Sequence, residues 1–227
     1  MQKNTPLSVV LVAEGSGGHL IPALEVAHRL AKLGARTQVW YAQRRQLAPL
    51  ASALMEDVVD PAIELHPLGV TGGRNLLGRL WQCGQLWYQS ERCFAERAPD
   101  VVVGFGGWIS APVVLAARRR QIRCLLHEQN AALGRTNRWL SRWVDRVAVS
   151  FPETTARLNG QPAVVTGMPV RETIGDPTRT RAVRFGLDPQ RPTLLVLGGS
   201  QGSQAINAMM SDIAEQVSPD ERQRLQE

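Results

Sequence analysis

The chain has 227 residues, 44% of them hydrophobic and 20% charged, with a formal net charge of +6. This balance excludes a disordered chain, and the length admits one large domain or one and a half. Only Lys3 and Lys32 are lysines, so the positive charge is almost all arginine, a residue suited to phosphate and to interfaces.

No apolar run approaches the roughly 18 residues of a membrane span, and no apolar signal region precedes the first strand, which predicts a cytoplasmic protein. Cys83, Cys93 and Cys124 are odd in number and lack paired spacing, so they read as packing residues in a reducing compartment. Eight arginines between Arg118 and Arg146, against Glu128 and Asp145, match the net charge of the whole chain. Most of them read as solvated surface, with a few facing an anionic partner. Neither an aromatic stacking array nor a basic helix motif accompanies them, so no nucleic-acid partner is expected.

The chain opens on an unbroken apolar run, Val9 to Ala13, the pattern of a strand covered on both faces in a parallel sheet. Gly15, Gly17 and Gly18 then make a turn, and Pro22 suits the first turn of a helix. Leu20, Ala23, Leu24, Ala27 and Leu30 recur at helical spacing, and Gly34 stops the helix. Such a turn offers free backbone N–H groups and the positive end of a helix dipole, so an anionic ligand is expected there. Leu20 stands where the third glycine of the dinucleotide fingerprint G-x-G-x-x-G belongs, and that fingerprint fails.

Thr37 to Tyr41 reads as a second strand, residues 42–60 as helical, and Ile63 to Leu65 as a further strand. Leu76, Leu77, Leu80, Trp81, Leu86 and Trp87 sit on a helix with Arg74 and Arg79 at its start. Its later turns, through Phe94, read as core, while its beginning has the arginine, leucine and tryptophan composition of an interfacial membrane contact. Val101 to Val103 is a buried strand running into Gly104, Gly106, Gly107 and Trp108 and then a helix from Ala111 to Arg120. Ile122 to Leu126 is a strand that delivers His127, Glu128, Gln129 and Asn130 at its C-terminal end, where parallel sheets bind ligands. Strands follow at Arg146 to Val149 and Ala163 to Val165. Another is expected at Thr193 to Leu197, running into a third glycine turn at Gly198, Gly199 and Gly202 and a helix containing Ile206 and Ile213.

Five segments in this order resemble the MurG family of bacterial peptidoglycan glycosyltransferases. They are Gly-Ser-Gly-Gly-His with Pro22; Gly104 to Pro112; His-Glu-Gln-Asn with Gly134, Thr136, Asn137 and Leu140; Gly-Met-Pro-Val-Arg; and Gly-Gly-Ser-Gln-Gly. Ser16, Trp108 and Met168 replace the family's usual Thr, Tyr and Asn. The resemblance implies an α/β protein of GT-B type. Residues 1–165 would be a Rossmann-like parallel-sheet domain that binds the acceptor and associates with the membrane. Residues 166–227 would be the incomplete start of a second Rossmann-like domain for UDP-GlcNAc, and the less stable part.

The implied reaction is an inverting transfer of GlcNAc from UDP-GlcNAc to the C4 hydroxyl of MurNAc in lipid I, giving lipid II, at the cytoplasmic side of the bacterial membrane. Inversion needs one base, for which His19 and Glu128 are the candidates, and neutralisation of the leaving diphosphate. His19 has an intrinsic pKa near working pH, and base or ligand contact are both open for it. By the resemblance, Ser16, Gly17, Gly18, Asn130, Arg171 and Ser200 contact the donor, the last two from the second-domain side. Gly106, Gly107 and Ser110 lie near the acceptor diphosphate. No Asp-x-Asp pair occurs in the sequence, so no metal and no cofactor are expected. The partners implied are UDP-GlcNAc, lipid I, an anionic membrane surface and a complementary donor-domain chain. A non-catalytic acceptor-domain fragment, binding lipid-linked sugar or such a partner, is the alternative reading.

Overall fold

The computed structural model describes residues 5–42, 62–70, 76–171, 174, 186, 188, 192–198 and 203–218. The expected helix over 42–60, Arg74, Ser200 and most of the third glycine turn lie outside these residues. The chain divides after Arg171 into two compact units.

The first unit is a single parallel sheet. Its strands are β1 (Ser8–Ala13), β2 (Arg36–Ala42), β3 (Ile63–Leu68), β4 (Val101–Gly104), β5 (Arg123–Glu128), β6 (Arg146–Val149) and β7 (Ala163–Val165), in the order β3-β2-β1-β4-β5-β6-β7. Every strand–strand pairing is parallel, with Val12 opposite both Trp40 and Gly104. The apolar runs explain this arrangement: Leu11, Val12 and Ala13 are wholly buried because helices cover both faces of the central strand.

Helix α1 (Gly17–Lys32) lays Leu20, Ala23, Leu24 and Ala27 against Val9, Leu11, Val39 and Phe105 on one face. Each fully buried leucine there contributes about 1.5–3 kcal/mol. Gly34, at φ +85°, ends the helix where a left-handed residue is needed. On the opposite face lie α2 (Leu76–Glu96), α3 (Ser110–Arg119) and α4 (Arg135–Leu140), whose Leu86, Phe94, Val113, Val114 and Leu140 share a core with Val10, Val102 and Leu126. Trp40 stacks on Phe94 with ring centroids 5.4 Å apart, tying β2 to the end of α2.

Helix α2 divides as its sequence predicts. Leu86 and Phe94 are buried, whereas Leu76 is 73% and Trp81 is 70% exposed. Arg119 and Arg120 reach Glu91 of α2 at 3.8 and 2.8 Å, and Arg118 pairs with Asp145 at 3.1 Å, so part of the arginine cluster clamps helix to helix and α3 to the sheet. Cys124 is buried as a packing residue, and burial pushes its thiol up to about 12; Cys93, by contrast, is exposed on α2.

Two expectations are revised. β5 continues through His127 and Glu128, which are strand residues rather than loop residues at its end. Their amides pair onward with β6, where His127 stands opposite Ala148 and Glu128 opposite Val149. The expected strand at Thr193 to Leu197 is an isolated bridge residue followed by irregular chain, with Leu195 and Leu197 exposed. A parallel strand is stable only between neighbours and under helices, and among the described residues of the second unit no sheet surrounds it. That unit's helix α5 (Gln204–Gln216) is capped by Ser203, whose hydroxyl accepts from the Ile206 amide at 3.3 Å, and it buries none of its residues.

Candidate active-site crevice

The sheet order reverses at β1. The chain moves from β1 outward to β2 and β3, then returns to β4 on the other side of β1 and continues outward from there. Ligands of open parallel sheets bind at the C-terminal strand ends beside such a reversal. Both glycine turns lie there, the first between β1 and α1 and the second between β4 and α3. They are joined at the root: the Phe105 amide donates to the Val12 carbonyl at 2.8 Å.

In the first turn the Ser16 carbonyl accepts from the amides of His19 and Leu20, which starts α1. Its hydroxyl makes no helix cap. It lies instead 2.7 Å from Nδ1 of His19, leaving Nε2 as the imidazole edge directed at the second turn. There a Cβ added to Gly106 would stand 3.1 Å from His19 Nε2 and 3.5 Å from Asn137 Nδ2. Gly106 and Gly107 have φ of +94° and +77°, so the second turn passes close to His19 in a backbone conformation that side chains rarely adopt. Ser110 is fully buried and donates to the Gly106 carbonyl at 2.7 Å, which closes the turn onto α3. Its hydroxyl is therefore engaged with the loop. Gly17 and Ser16 are half-buried and Gly18 is exposed along the first turn.

Glu128 is 1% exposed, and its two oxygens accept four hydrogen bonds. Oε1 receives the Asn130 amide and side chain at 3.1 and 3.0 Å, and Oε2 receives the Gly134 amide and Asn137 Nδ2, each at 2.9 Å. A carboxylate acts as a base only through a lone pair that faces the substrate, and those of Glu128 are filled by its own loop. Asn130 is itself exposed, and Thr154 donates to its carbonyl at 3.2 Å.

His127 is buried beneath this loop. It stacks on Phe105 at 5.4 Å, approaches the Gly167 carbonyl through Nε2 at 3.3 Å, and has Gln129 at Nδ1. Burial lowers its pKa, while the Gly167 hydrogen bond and the Glu128 charge oppose that shift. Arg171 lies in the first unit, with Nε 3.8 Å from Oε1 of buried Glu25, and Arg29 donates to the Val170 carbonyl at 3.3 Å. Gly167 to Arg171 are thus held against the sheet's own unit. Ser200 is outside the described residues.

Sequence pattern alone does not single out two further residues. Asn137, nine positions after Glu128, is 2% exposed and donates to Glu128, and among the described residues its Oδ1 has no hydrogen-bond partner. Glu14 directly precedes the first glycine turn, and its carboxylate lies against Gly107: a Cβ there would be 2.6 Å from Glu14 Oε2. Only its position beside the turn hinted at this.

Comparison with known proteins identifies the family of this sheet and its turns. Residues 9–149 match the glycosyltransferase family 28 N-terminal domain. A protein of Frankia casuarinae named UDP-N-acetylglucosamine--N-acetylmuramyl-(pentapeptide) pyrophosphoryl-undecaprenol N-acetylglucosamine transferase is 39% identical over 226 residues, covering 91% of this chain and 56% of its own length. One of the same name from Desulforamulus reducens is 34% identical over 224 residues, covering 95% and 59%. The crystal structure of Acinetobacter baumannii MurG superposes with a TM-score of 0.69 at 28% identity, covering 94% of this chain and 58% of that one. The chain thus spans a little over half the length of these relatives, and its seven-stranded sheet is the Rossmann-like first domain of a GT-B fold. The matched segment contains both glycine turns, His19 and the Glu128 loop, and by it the chain belongs to glycosyltransferase family 28.

Proposed function

We propose that this chain is the acceptor-side part of an inverting glycosyltransferase of peptidoglycan synthesis, moving GlcNAc from UDP-GlcNAc to the C4 hydroxyl of MurNAc in lipid I. The observation that carries this reading is the meeting of His19 Nε2 with the second glycine turn at the sheet's reversal point, in a family 28 domain. His19 is the base. Ser16 holds its Nδ1, so Nε2 takes the proton of the acceptor hydroxyl as the anomeric carbon gains positive character. Glu128 positions the Asn130–Asn137 loop.

The second glycine turn, Gly106 and Gly107, borders the acceptor's path with buried Ser110 closing the turn behind it, while Ser16, Gly17, Gly18 and Asn130 face the donor. Arg171, at the end of the first unit, and Ser200, beyond it, complete the donor contacts. The exposed Leu76, Leu77, Leu80 and Trp81 beside Arg79 form the contact with an anionic membrane surface on the cytoplasmic side. This contact is tested by vesicle flotation, in which Trp81→Asp releases the chain from anionic vesicles.

The test of the reaction is transfer of labelled GlcNAc to a lipid I analogue, by the 227-residue chain alone and with a donor-domain polypeptide added. Activity that appears in either arm and falls about 100- to 10,000-fold in His19→Ala supports the reading. Activity unchanged in His19→Ala removes the base assignment. Absence of transfer in both arms leaves a lipid-linked sugar binder as the function.

A further inference from the structure

The arginines that carry the chain's positive charge divide into two sets. Arg118, Arg119 and Arg120 pair with Asp145 and Glu91. Arg138 and Arg142 find no such partner: among the described residues neither guanidinium has a hydrogen bond or an ion pair, and the same holds for Arg157.

These three meet at one cavity. Arg138 lies on α4, and Arg142 follows four residues later in the helical turn Ser141–Trp143 that continues it, so helical spacing sets the two side by side. Arg157 comes from the 3-10 segment Pro152–Leu158 after β6. Together they line a cavity of about 270 Å³, whose wall includes buried Ser141 and Leu158. Asn159 and Gln161 complete it, on a turn with φ of +49° at Asn159 and +79° at Gly160, closed by the Gln161 amide donating to the Leu158 carbonyl at 3.0 Å. Among the described residues no carboxylate lines this cavity, and none of its lining residues belongs to the glycine turns or to the Asn130–Asn137 loop.

Like charges four residues apart on a helix repel. A concave site lined by one sign of charge gathers counter-ions, because its low-dielectric walls confine the field. Guanidinium groups offer planar forks of N–H donors that match phosphate oxygens in pairs, and the side-chain amides of Asn159 and Gln161 are uncharged donors beside them. We infer that the Arg138–Arg142–Arg157 cavity is a binding site for a phosphate group, apart from the crevice at the strand ends.

A soluble phosphate and the phosphodiester of an anionic lipid headgroup share this chemistry. Trp139 and Trp143 separate them: each follows one of the arginines, both are about half exposed, and their rings lie 6.4 Å apart. A lipid brings these indoles against its glycerol and acyl groups, whereas a soluble phosphate leaves them in water.

The test is an NMR titration of the isotopically labelled 227-residue chain with inorganic phosphate, with monomeric dihexanoyl phosphatidylglycerol, and with sodium chloride at matched ionic strength. The Nε–H groups of the three arginines, the side-chain amides of Asn159 and Gln161 and the indoles of Trp139 and Trp143 are followed in the native chain, Arg142→Gln and Arg157→Gln. Phosphate or the lipid should give saturable shifts that chloride does not, and each substitution should weaken binding by about tenfold, as expected for the loss of a charge-assisted hydrogen bond. Tighter binding of phosphate with both indoles unmoved identifies a soluble ligand; tighter binding of the lipid with both indoles shifted identifies a headgroup. Without ligand, each variant should melt at or above the native temperature, since it loses a repulsion. Equal shifts with chloride, unchanged affinity in either variant, or no shift with either probe overturns the inference, as does a lowered melting temperature in both variants, which would make the arginines structural.

Discussion

The Ser16 hydroxyl and His19 Nδ1 lie 2.7 Å apart, three residues along one turn, and this contact determines which imidazole nitrogen faces the crevice. When Nδ1–H donates to Ser16, Nε2 holds the lone pair that a base needs. Ser16→Ala should let both tautomers populate, read as a change in the His19 ring nitrogen shifts, while Ser16→Thr keeps the native pattern. An unchanged tautomer in Ser16→Ala would mean that another group orients the ring.

Gly107 carries two constraints, a left-handed backbone and the pressing Glu14 side chain, whose Cβ and carboxylate both lie over it. Gly107→Ala should destabilise the chain by about 2–3 kcal/mol in urea unfolding, combining left-handed strain with the clash. The nearest atom to that position is the Glu14 Cβ, at 2.4 Å, so Glu14→Gly in the same chain relieves the clash alone and should return the cost to about 1–2 kcal/mol. Simple additivity of the two substitutions would mean that the side chains do not meet.

Glu128 is surrounded by donors. Glu128→Gln brings an NH₂ group into a site that supplies only N–H, leaving buried donors facing one another. A loss of about 2–4 kcal/mol is expected, with the Asn130 and Gly134 amides losing hydrogen-exchange protection first. A variant as stable as the native chain would contradict the network.

His127 makes the fold sensitive to mild acid. Its folded pKa is lowered from 6.5, chiefly by burial, so between that lowered value and 6.5 the unfolded chain binds a proton that the folded chain does not. Stability therefore falls as pH drops below 6.5, by no more than about 1.4 kcal/mol per pH unit for one proton, and stops falling on this account below the folded pKa. The difference in urea midpoint between native and His127→Gln chains, followed from pH 7 to 5, isolates this contribution. A pH profile identical in the two would exclude it.

The thiols should separate by reactivity, since the thiolate is the reacting form. Burial holds Cys124 near 12, whereas Cys93 is exposed. A thiol reagent at pH 8 should label Cys93 in the folded chain and Cys124 only on unfolding, resolved by peptide mass. Equal labelling of both would show that the β5 region opens readily.

Much of this protein follows from local pattern. Apolar runs such as Val9 to Ala13 and Val101 to Val103 specify parallel strands because only a sheet covered on both faces can bury them, and the glycines with Pro22 fix where the first strand turns into helix. The motif residues named the family domain and brought His19 to the strand ends. The second unit is less legible, because the apolar run at Thr193 to Leu197 is a strand by composition yet becomes one only between neighbouring strands.

Side-chain partnership was decided by the tertiary structure. That Glu128 faces its own loop follows from how far Asn130, Gly134 and Asn137 fold back on it, and spacing does not encode that distance. Glu14 meets Gly107, 93 positions away, only because β1 and β4 are adjacent in the sheet and their C-terminal ends align. The sequence by itself determined the elements and the turns, which depend on near neighbours; the charge and hydrogen bonding of the crevice depend on strand order, which places together groups far apart along the chain.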